Sequence, residues 1–191
     1  MKPASKHSEI ILAGSGGQGL ILSGMLLAEA AMLEGNNVVQ TQSYGIASRG
    51  GLSLAEVIVD TKEIIFQQVR KPDCVLALTE EALQKYQSWA AKGVPMLYDR
   101  TLTATRSGEC FIGLELTRHA SELGNTGSVN IIALGAVAIF TGVVQLASLQ
   151  ALLRKRFRGA ALELNLQLLA AGGELVADAQ SRRNCIAGVL Q

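Results

Sequence analysis

A short β-branched segment, then a glycine-dense turn, then a long run of helix formers leaves a chain few folds to choose from. Residues 9–34, EIILAGSGGQGLILSGMLLAEAAMLE, have this order. Ile10-Ile11-Leu12-Ala13 has the length and branching of a buried strand, and Leu20 to Leu33 is apolar with Ser23 and Glu29 as its few polar members. Strand, turn and helix in this order open a βαβ unit, and in α/β sheets ligands meet the chain at the carboxyl ends of the strands.

Gly14, Gly16 and Gly19 satisfy the G-x-G-x-x-G spacing. Glycine permits a sharp exit from the strand, and with no Cβ the backbone can approach a phosphate at a helix N-terminus. A dinucleotide site also needs an acidic residue about 20 positions on, at the end of the second strand. That strand, Val38-Val39-Gln40-Thr41, has none, and Glu34 falls in the turn before it. NAD is therefore disfavoured. Gln18-Gly19-Leu20-Ile21 stands where a phosphate-binding Gly-Lys-Ser/Thr would be required, which removes the P-loop reading. Two readings stay open: the turn meets a ligand or another subunit, or its glycines only let helix and strand pack closely.

The rest of the chain alternates. Gly35-Asn36-Asn37 closes the first helix, and Val38 to Thr41 and Leu52 to Val59 read as strands. Between them Ser43 to Gly51 holds Tyr44, Arg49 and three glycines, more than a plain connector needs. Cys74 to Leu78 is a strand, Thr79 an N-cap, and Leu83, Tyr86 and Trp89 give the next helix an apolar face. Val94 to Tyr98 and Cys110 to Leu114 are strands, and Thr117 to Leu123 is a short helix. Ser128 is placed to cap a helix whose body, Ile131 to Phe140, is apolar on nearly every side and so deeply buried. Ser148 is placed to cap a further helix through Phe157. Ala160 to Ala171 alternates leucines as a strand would, but its Ala, Leu, Glu and Gln content favours helix. The expected fold is a three-layer α/β/α domain around a mostly parallel, mixed sheet, with a Rossmann-like start and a helical C-terminal part. A flexible tail is expected over 1–8 and a single domain over 9–191.

Composition narrows the function. With 191 residues, 49% hydrophobic and 17% charged, the chain is globular, and a net charge of +1 argues against nucleic acid or an anionic membrane as partner. Aromatic residues at 4% leave few stacking platforms. Cys74, Cys110 and Cys185 are scattered and cannot alone form a four-thiolate site for iron–sulfur or zinc. The N-terminus lacks a secretory apolar region, and Ile131 to Phe140 is short of the ~20 residues that span a bilayer. A cytoplasmic protein is expected.

Gly16-Gly17-Gln18-Gly19, Ser43-Tyr44-Gly45 with Arg49-Gly50-Gly51, and Asn130-Ile131-Ile132-Ala133-Leu134-Gly135 follow one another at characteristic separations. In this register the chain, from about Ile10 to about Gly173, resembles the gamma subunit of 2-oxoacid:ferredoxin oxidoreductases. The gamma-like half of indolepyruvate oxidoreductase is a related possibility. The resemblance implies one piece of an enzyme that oxidatively decarboxylates a 2-oxoacid with thiamine diphosphate, joins the acyl group to coenzyme A, and passes electrons through iron–sulfur clusters to ferredoxin. It implies catalytic alpha and beta subunits and a ferredoxin-like subunit as partners, with those cofactors held by the complex and none by this chain alone. An isolated chain is also expected to self-associate as a homodimer through its apolar surface.

The candidate ligand- or partner-binding residues are Gly14, Gly16, Gly17, Gln18 and Gly19 of the turn, Ser43, Tyr44, Gly45, Arg49, Gly50 and Gly51 of the following loop, and Asn125 and Asn130. Tyr44 and Arg49 are the side chains singled out, because the planar fork of arginine suits an oxyanion such as a coenzyme A phosphate. For Asn130 a capping or turn role competes. His119, beside Arg118 with no acidic or cysteine partner, reads as a surface or packing residue. The run Arg154-Lys155-Arg156-Phe157-Arg158 reads as a helix C-terminus complementing its dipole. No catalytic residue and no metal ligand set emerges. The competing function is a stand-alone nucleotide- or phosphate-binding protein built on the Gly14–Gly19 turn.

Overall fold

We describe the protein from a computed structural model, covering residues 7–44 and 51–189, with side chains for 7–43 and 51–181. Six strands form one sheet: β1 (Ser8–Ser15), β2 (Asn37–Tyr44), β3 (Leu52–Asp60), β4 (Cys74–Ala77), β5 (Met96–Asp99) and β6 (Phe111–Leu114), in the order β2-β3-β1-β4-β5-β6. Six α-helices accompany them among the described residues: α1 (Leu20–Leu33), α2 (Glu80–Ala90), α3 (Leu116–Glu122), α4 (Val129–Thr141), α5 (Leu146–Arg156) and α6 (Gly159–Val189). The three-layer α/β/α reading holds, with Ser8 of the expected tail already part of β1.

The sheet divides into two halves of different direction. β1, β4, β5 and β6 are parallel neighbours, whereas β3 is antiparallel to both β1 and β2. Loop length explains the split. A parallel return needs a crossover of about a dozen residues or more, and the short connection 45–51 cannot provide one. β3 therefore turns back and inserts between β1 and β2, the two strands that α1 joins.

Each face of the sheet buries its own core. Ile10, Leu12, Ala55, Val57, Val59, Leu76 and Leu97 point to the side covered by α1, α4, α5 and α6. Ile11, Ala13, Val75, Met96 and Tyr98 point to the other, where α2 contributes Ala82, Leu83 and Tyr86. Successive side chains of a strand alternate between faces, so the continuous apolar runs of β1 and β4 are those of strands covered on both sides.

α4 is the spine of the thicker layer. Its residues from Val129 to Ala138 are buried without a break. The expected buried body Ile131 to Phe140 ends early: Ile139 is 42% exposed and Phe140 half-buried, because the last turn of the helix emerges from the layer. Burying a Val, Leu or Ile side chain is worth about 1.5–3 kcal/mol, so a helix apolar all round is stable only when enclosed like this. α6 lies against it. In its buried positions Asn165, Leu168, Leu169, Gly172, Gly173 and Val176 the helical period replaces the apparent alternation of Leu162 to Leu168. The two backbones touch at glycines: a Cβ on Gly135 would overlap the Leu169 carbonyl, and one on Gly172 would overlap the Ile132 carbonyl.

Two expected caps are corrected. Ser128 precedes α4, but its hydroxyl accepts from Asn125 Nδ2 (3.0 Å) and makes no capping bond. Ser148 lies inside α5, which begins after Gln145, because Gln145 already has extended backbone and its carbonyl receives the N–H of Ser148 and Leu149. Thr79 does cap α2, its hydroxyl accepting from Ala82 N at 3.2 Å.

Candidate functional site

The glycine turn leaves β1 in the middle of the sheet, at the edge where the parallel strands end. It is folded on itself. Gln18 bends back so that its side-chain carbonyl accepts the Ser15 N–H at 2.7 Å, while the Gln18 N–H donates to the Ser15 carbonyl at 3.3 Å. Gly16 N–H donates to the Gly51 carbonyl at 3.0 Å, tying the turn to the start of β3. Three amides that an anion might have used, those of Ser15, Gly16 and Gln18, are thus committed within the protein.

The glycines divide into two kinds. A Cβ on Gly14 would lie 2.9 Å from Leu20 Cδ1 and 3.2 Å from Leu78 Cβ, and one on Gly19 would lie 2.7 Å from Asn130 Nδ2. Gly19 also has φ +72, a left-handed conformation costly for other residues. These two are packing glycines. Gly16 and Gly17 are exposed, and a Cβ on Gly17 would meet nothing within 4 Å. Among the described residues of the turn, this outer half is the part that leaves main chain exposed. α1 follows with Gly19 as its N-cap and no side-chain capping bond.

Asn130 is the link between the turn and the thick layer. Only 5% exposed, it donates from Nδ2 to the Gly19 carbonyl at 3.3 Å, and its own carbonyl accepts the Ser23 hydroxyl at 3.0 Å. It neither caps α4 nor shapes a turn. It joins the start of α4 to the start of α1. Asn125 does otherwise: its Oδ1 accepts the Gly127 N–H at 2.9 Å and its Nδ2 reaches Ser128, so its side chain is engaged within its own single 3-10 turn, Thr126–Ser128. Ser43 is exposed, opposite Leu54, and Tyr44 pairs with Ser53 in the strand register. Gly45, Arg49, Gly50 and the side chain of Tyr44 lie outside the described residues.

Two features of this edge were not singled out from sequence. Asp99 ends β5 fully buried, the first place to look for an acid or base. Its carboxylate instead accepts the N–H of Thr101 (3.0 Å) and of Thr117 (3.1 Å) and the Thr117 hydroxyl, and so fixes the turn after β5 and the start of α3. The sequence signal was an acidic residue at a strand end, which does not distinguish a reactive group from a turn anchor.

The second is a cleft of about 370 Å³ between β6, α3 and α6, lined by Arg100, Glu115, Arg118, His119 and Asp178. Glu115 is pushed up by slight burial, but the Arg100 and Arg118 guanidiniums paired with it hold it below the usual carboxylate range. His119 has a ring nitrogen 2.9 Å from the Glu115 carbonyl, in keeping with a packing role. Burial pushes the Cys74 thiol up, so it stays protonated in the core. Among the described residues no group of three or more His, Cys, Asp or Glu is arranged to hold a metal ion. No helix is long and apolar enough to cross a membrane among them either.

Residues 9–175 match the family described as pyruvate ferredoxin/flavodoxin oxidoreductase. The chain belongs to that family. Within the oxidoreductase family it is 40% identical over 171 residues to the 2-oxoglutarate synthase subunit KorC of Archaeoglobus fulgidus, a match covering 89% of this chain and 88% of that one. It is 30% identical to the ketoisovalerate oxidoreductase subunit VorA of Methanothermobacter thermautotrophicus, covering 90% of this chain but 37% of VorA. Among solved structures it superposes on the gamma subunit of a keto/oxoacid ferredoxin oxidoreductase from Geobacter sulfurreducens. That comparison has a TM-score of 0.79 at 34% identity, covering 91% of this chain and 98% of the other.

Proposed function

We propose that this chain is the gamma-type subunit of a 2-oxoacid:ferredoxin oxidoreductase, and that the oxoacid is 2-oxoglutarate. The observation that carries the reading is the family match over residues 9–175. The 2-oxoglutarate assignment is supported by 40% identity to an archaeal KorC, against 30% to VorA. The complex would oxidise and decarboxylate the 2-oxoacid on thiamine diphosphate, transfer the acyl group to coenzyme A, and send the electrons through iron–sulfur clusters to ferredoxin. Thiamine diphosphate, clusters and coenzyme A are assigned to the assembled enzyme, with alpha, beta and ferredoxin-like subunits as partners.

The role of this chain is to present backbone. Gly16 and Gly17 fit a close approach by a partner chain, and the Gly17 main chain an oxyanion, since among the described residues only the Gly51 carbonyl stands near Gly16 and nothing near Gly17. A nucleotide-binding protein that works alone has less in its favour: β2 ends in Gln42, Ser43 and Tyr44 with no carboxylate for a ribose, and Gln18 fills the inside of the turn.

The test is purification of the tagged chain from its native cell, followed by assay with 2-oxoglutarate, coenzyme A and a viologen acceptor. Co-purification with thiamine- and cluster-bearing subunits, and succinyl-CoA formation faster than turnover of pyruvate or ketoisovalerate, is the expected result. A chain that purifies alone and binds NAD or ATP tightly would overturn the proposal.

A further inference from the structure

The loop joining β3 to β4, residues 61–73, lies at the end of the sheet opposite the glycine turn. It has no helix or strand, yet its base is held fast. Glu9, only 6% exposed, accepts the N–H of Arg70 at 2.6 Å and of Lys71 at 2.7 Å, and lies 3.0 Å from His7 Nε2. Glu9 and Asp73 exchange a further pair of bonds: Glu9 N–H donates to the Asp73 carboxylate (2.9 Å), and Asp73 N–H donates to the Glu9 carbonyl (2.8 Å). At the other end of the loop, Asp60 accepts the Lys62 N–H at 2.9 Å.

This fixed base presents a bare apolar tip. Ile65 is 80% and Phe66 62% exposed, side by side, with the Arg70 guanidinium 4.3 Å from the Phe66 ring centre. Lys62, Arg70 and Lys71 form no ion pair among the described residues, and Glu63 is the one acidic residue between them in the loop. Exposed neighbouring apolar side chains on an ordered loop mark a contact site, and a loop tethered in advance loses little freedom on binding. Aromatic and arginine side chains are the types that dominate interface energetics.

We propose that Ile65, Phe66 and Arg70 form a docking knob for a neighbouring subunit of the oxidoreductase complex, one that offers an apolar socket rimmed by carboxylates. A second copy of this chain is the less favoured occupant, because a two-fold contact would bring Lys62, Arg70 and Lys71 of both copies together with only one exposed carboxylate, Glu63, per copy among them. The inference rests on the proposed assembly, but it concerns a surface remote from the glycine turn.

The test uses the assembled complex. A photo-crosslinking phenylalanine analogue is placed at position 66 in the tagged chain, and crosslinked peptides are identified after irradiation. In parallel, Ile65→Ser with Phe66→Ser, and separately Arg70→Glu, are checked for unchanged thermal melting and titrated against the remaining subunits. The expected result is a crosslink to another subunit at a segment holding both apolar and acidic residues. The double variant should weaken association on the order of tenfold or more. Arg70→Glu should weaken it several-fold, less so at high salt. Full association of both variants, or a crosslink only to a second copy of this chain, would overturn the proposal while leaving the subunit assignment intact. A wild-type chain that co-purifies with no other subunit would overturn both.

Discussion

Two glycine-bearing regions of this molecule use the same residue for opposite ends. Where α4 crosses α6, Gly135 and Gly172 let two backbones touch, and a single methyl group on either would strike a carbonyl oxygen. In the turn after β1, Gly16 and Gly17 are exposed: a Cβ on Gly16 would only touch the Gly51 carbonyl at 3.8 Å, and one on Gly17 would meet nothing in the described chain. At the crossing the missing Cβ makes room for the protein itself. In the outer turn it leaves room for something else. The difference teaches that a glycine motif is not by its spacing a binding motif, because Gly14 and Gly19 of the same turn belong with the crossing helices and not with their neighbours.

The largest effect should come from the helix crossing. In an open helix Gly→Ala gains about 0.5–1 kcal/mol from propensity. At Gly172 the new methyl meets main chain, which cannot swing aside, so Gly172→Ala should cost about 3 kcal/mol or more in urea unfolding. Gly135→Ala should behave alike. A neutral result at both would show that the helices can separate, and would erase the contrast.

Gly19→Ala comes next. Its left-handed backbone and the nearby Asn130 amide should together cost about 2 kcal/mol. Asn130→Ala alone loses the bond to the Gly19 carbonyl and should cost about 1 kcal/mol. Because that change also removes the obstructing amide, the double variant should cost less than the sum of the two. Strict additivity would mean that Asn130 does not back the turn.

The far end of the sheet provides a smaller, pH-dependent reference. Hydrogen bonds to Glu9 and Asp60 raise the His7 pKa above its ordinary 6.5. Burial pushes Glu9 up, but His7 and the Lys71 and Arg70 amides together outweigh it and bring Glu9 below 4.5. A raised histidine stabilises fully below its unfolded pKa, and the benefit fades as pH climbs through the folded one. A lowered carboxylate stabilises above its unfolded pKa and loses that as pH falls through the folded one. This cluster therefore contributes most between about pH 4.5 and 6.5. His7→Gln should remove the fall in stability above that window, a change of less than about 1 kcal/mol because the ring is half exposed and screened. An unchanged melting profile from pH 6 to 8 would show that the cluster is not coupled to folding.

Gly16→Ala should have the smallest effect on stability, within about 0.5 kcal/mol, since its backbone is unstrained and its surroundings are open. It is also the sharpest test of the comparison. Assembly or turnover of the complex should fall while melting stays put. If both persist unchanged, the outer turn is as structural as the inner one.

Much of this architecture was legible in the residues. The strand–turn–helix opening, the apolar helix body from Ile131, buried as far as Ala138, and the Thr79 cap all follow from local rules of length, branching and capping. Ser148 and Ser128 show where such rules stop, because a hydroxyl near a helix start has several partners within reach and only the realised backbone chooses between them. The site was legible as a stretch and not as a set of roles. Asn125 and Asn130 looked equivalent, yet one closes its own turn and the other reaches Gly19, 111 positions away.

The sequence by itself determined the kind of elements, their order and the family, since these depend on neighbouring residues and on motifs read in line. Tertiary structure alone decided that β3 inserts antiparallel between β1 and β2, that Gly135 and Gly172 meet, and which glycines of the turn remain uncovered. The physical reason is that packing joins atoms remote along the chain. Whether a missing methyl group is filled by the protein or left open depends on what the fold brings opposite it.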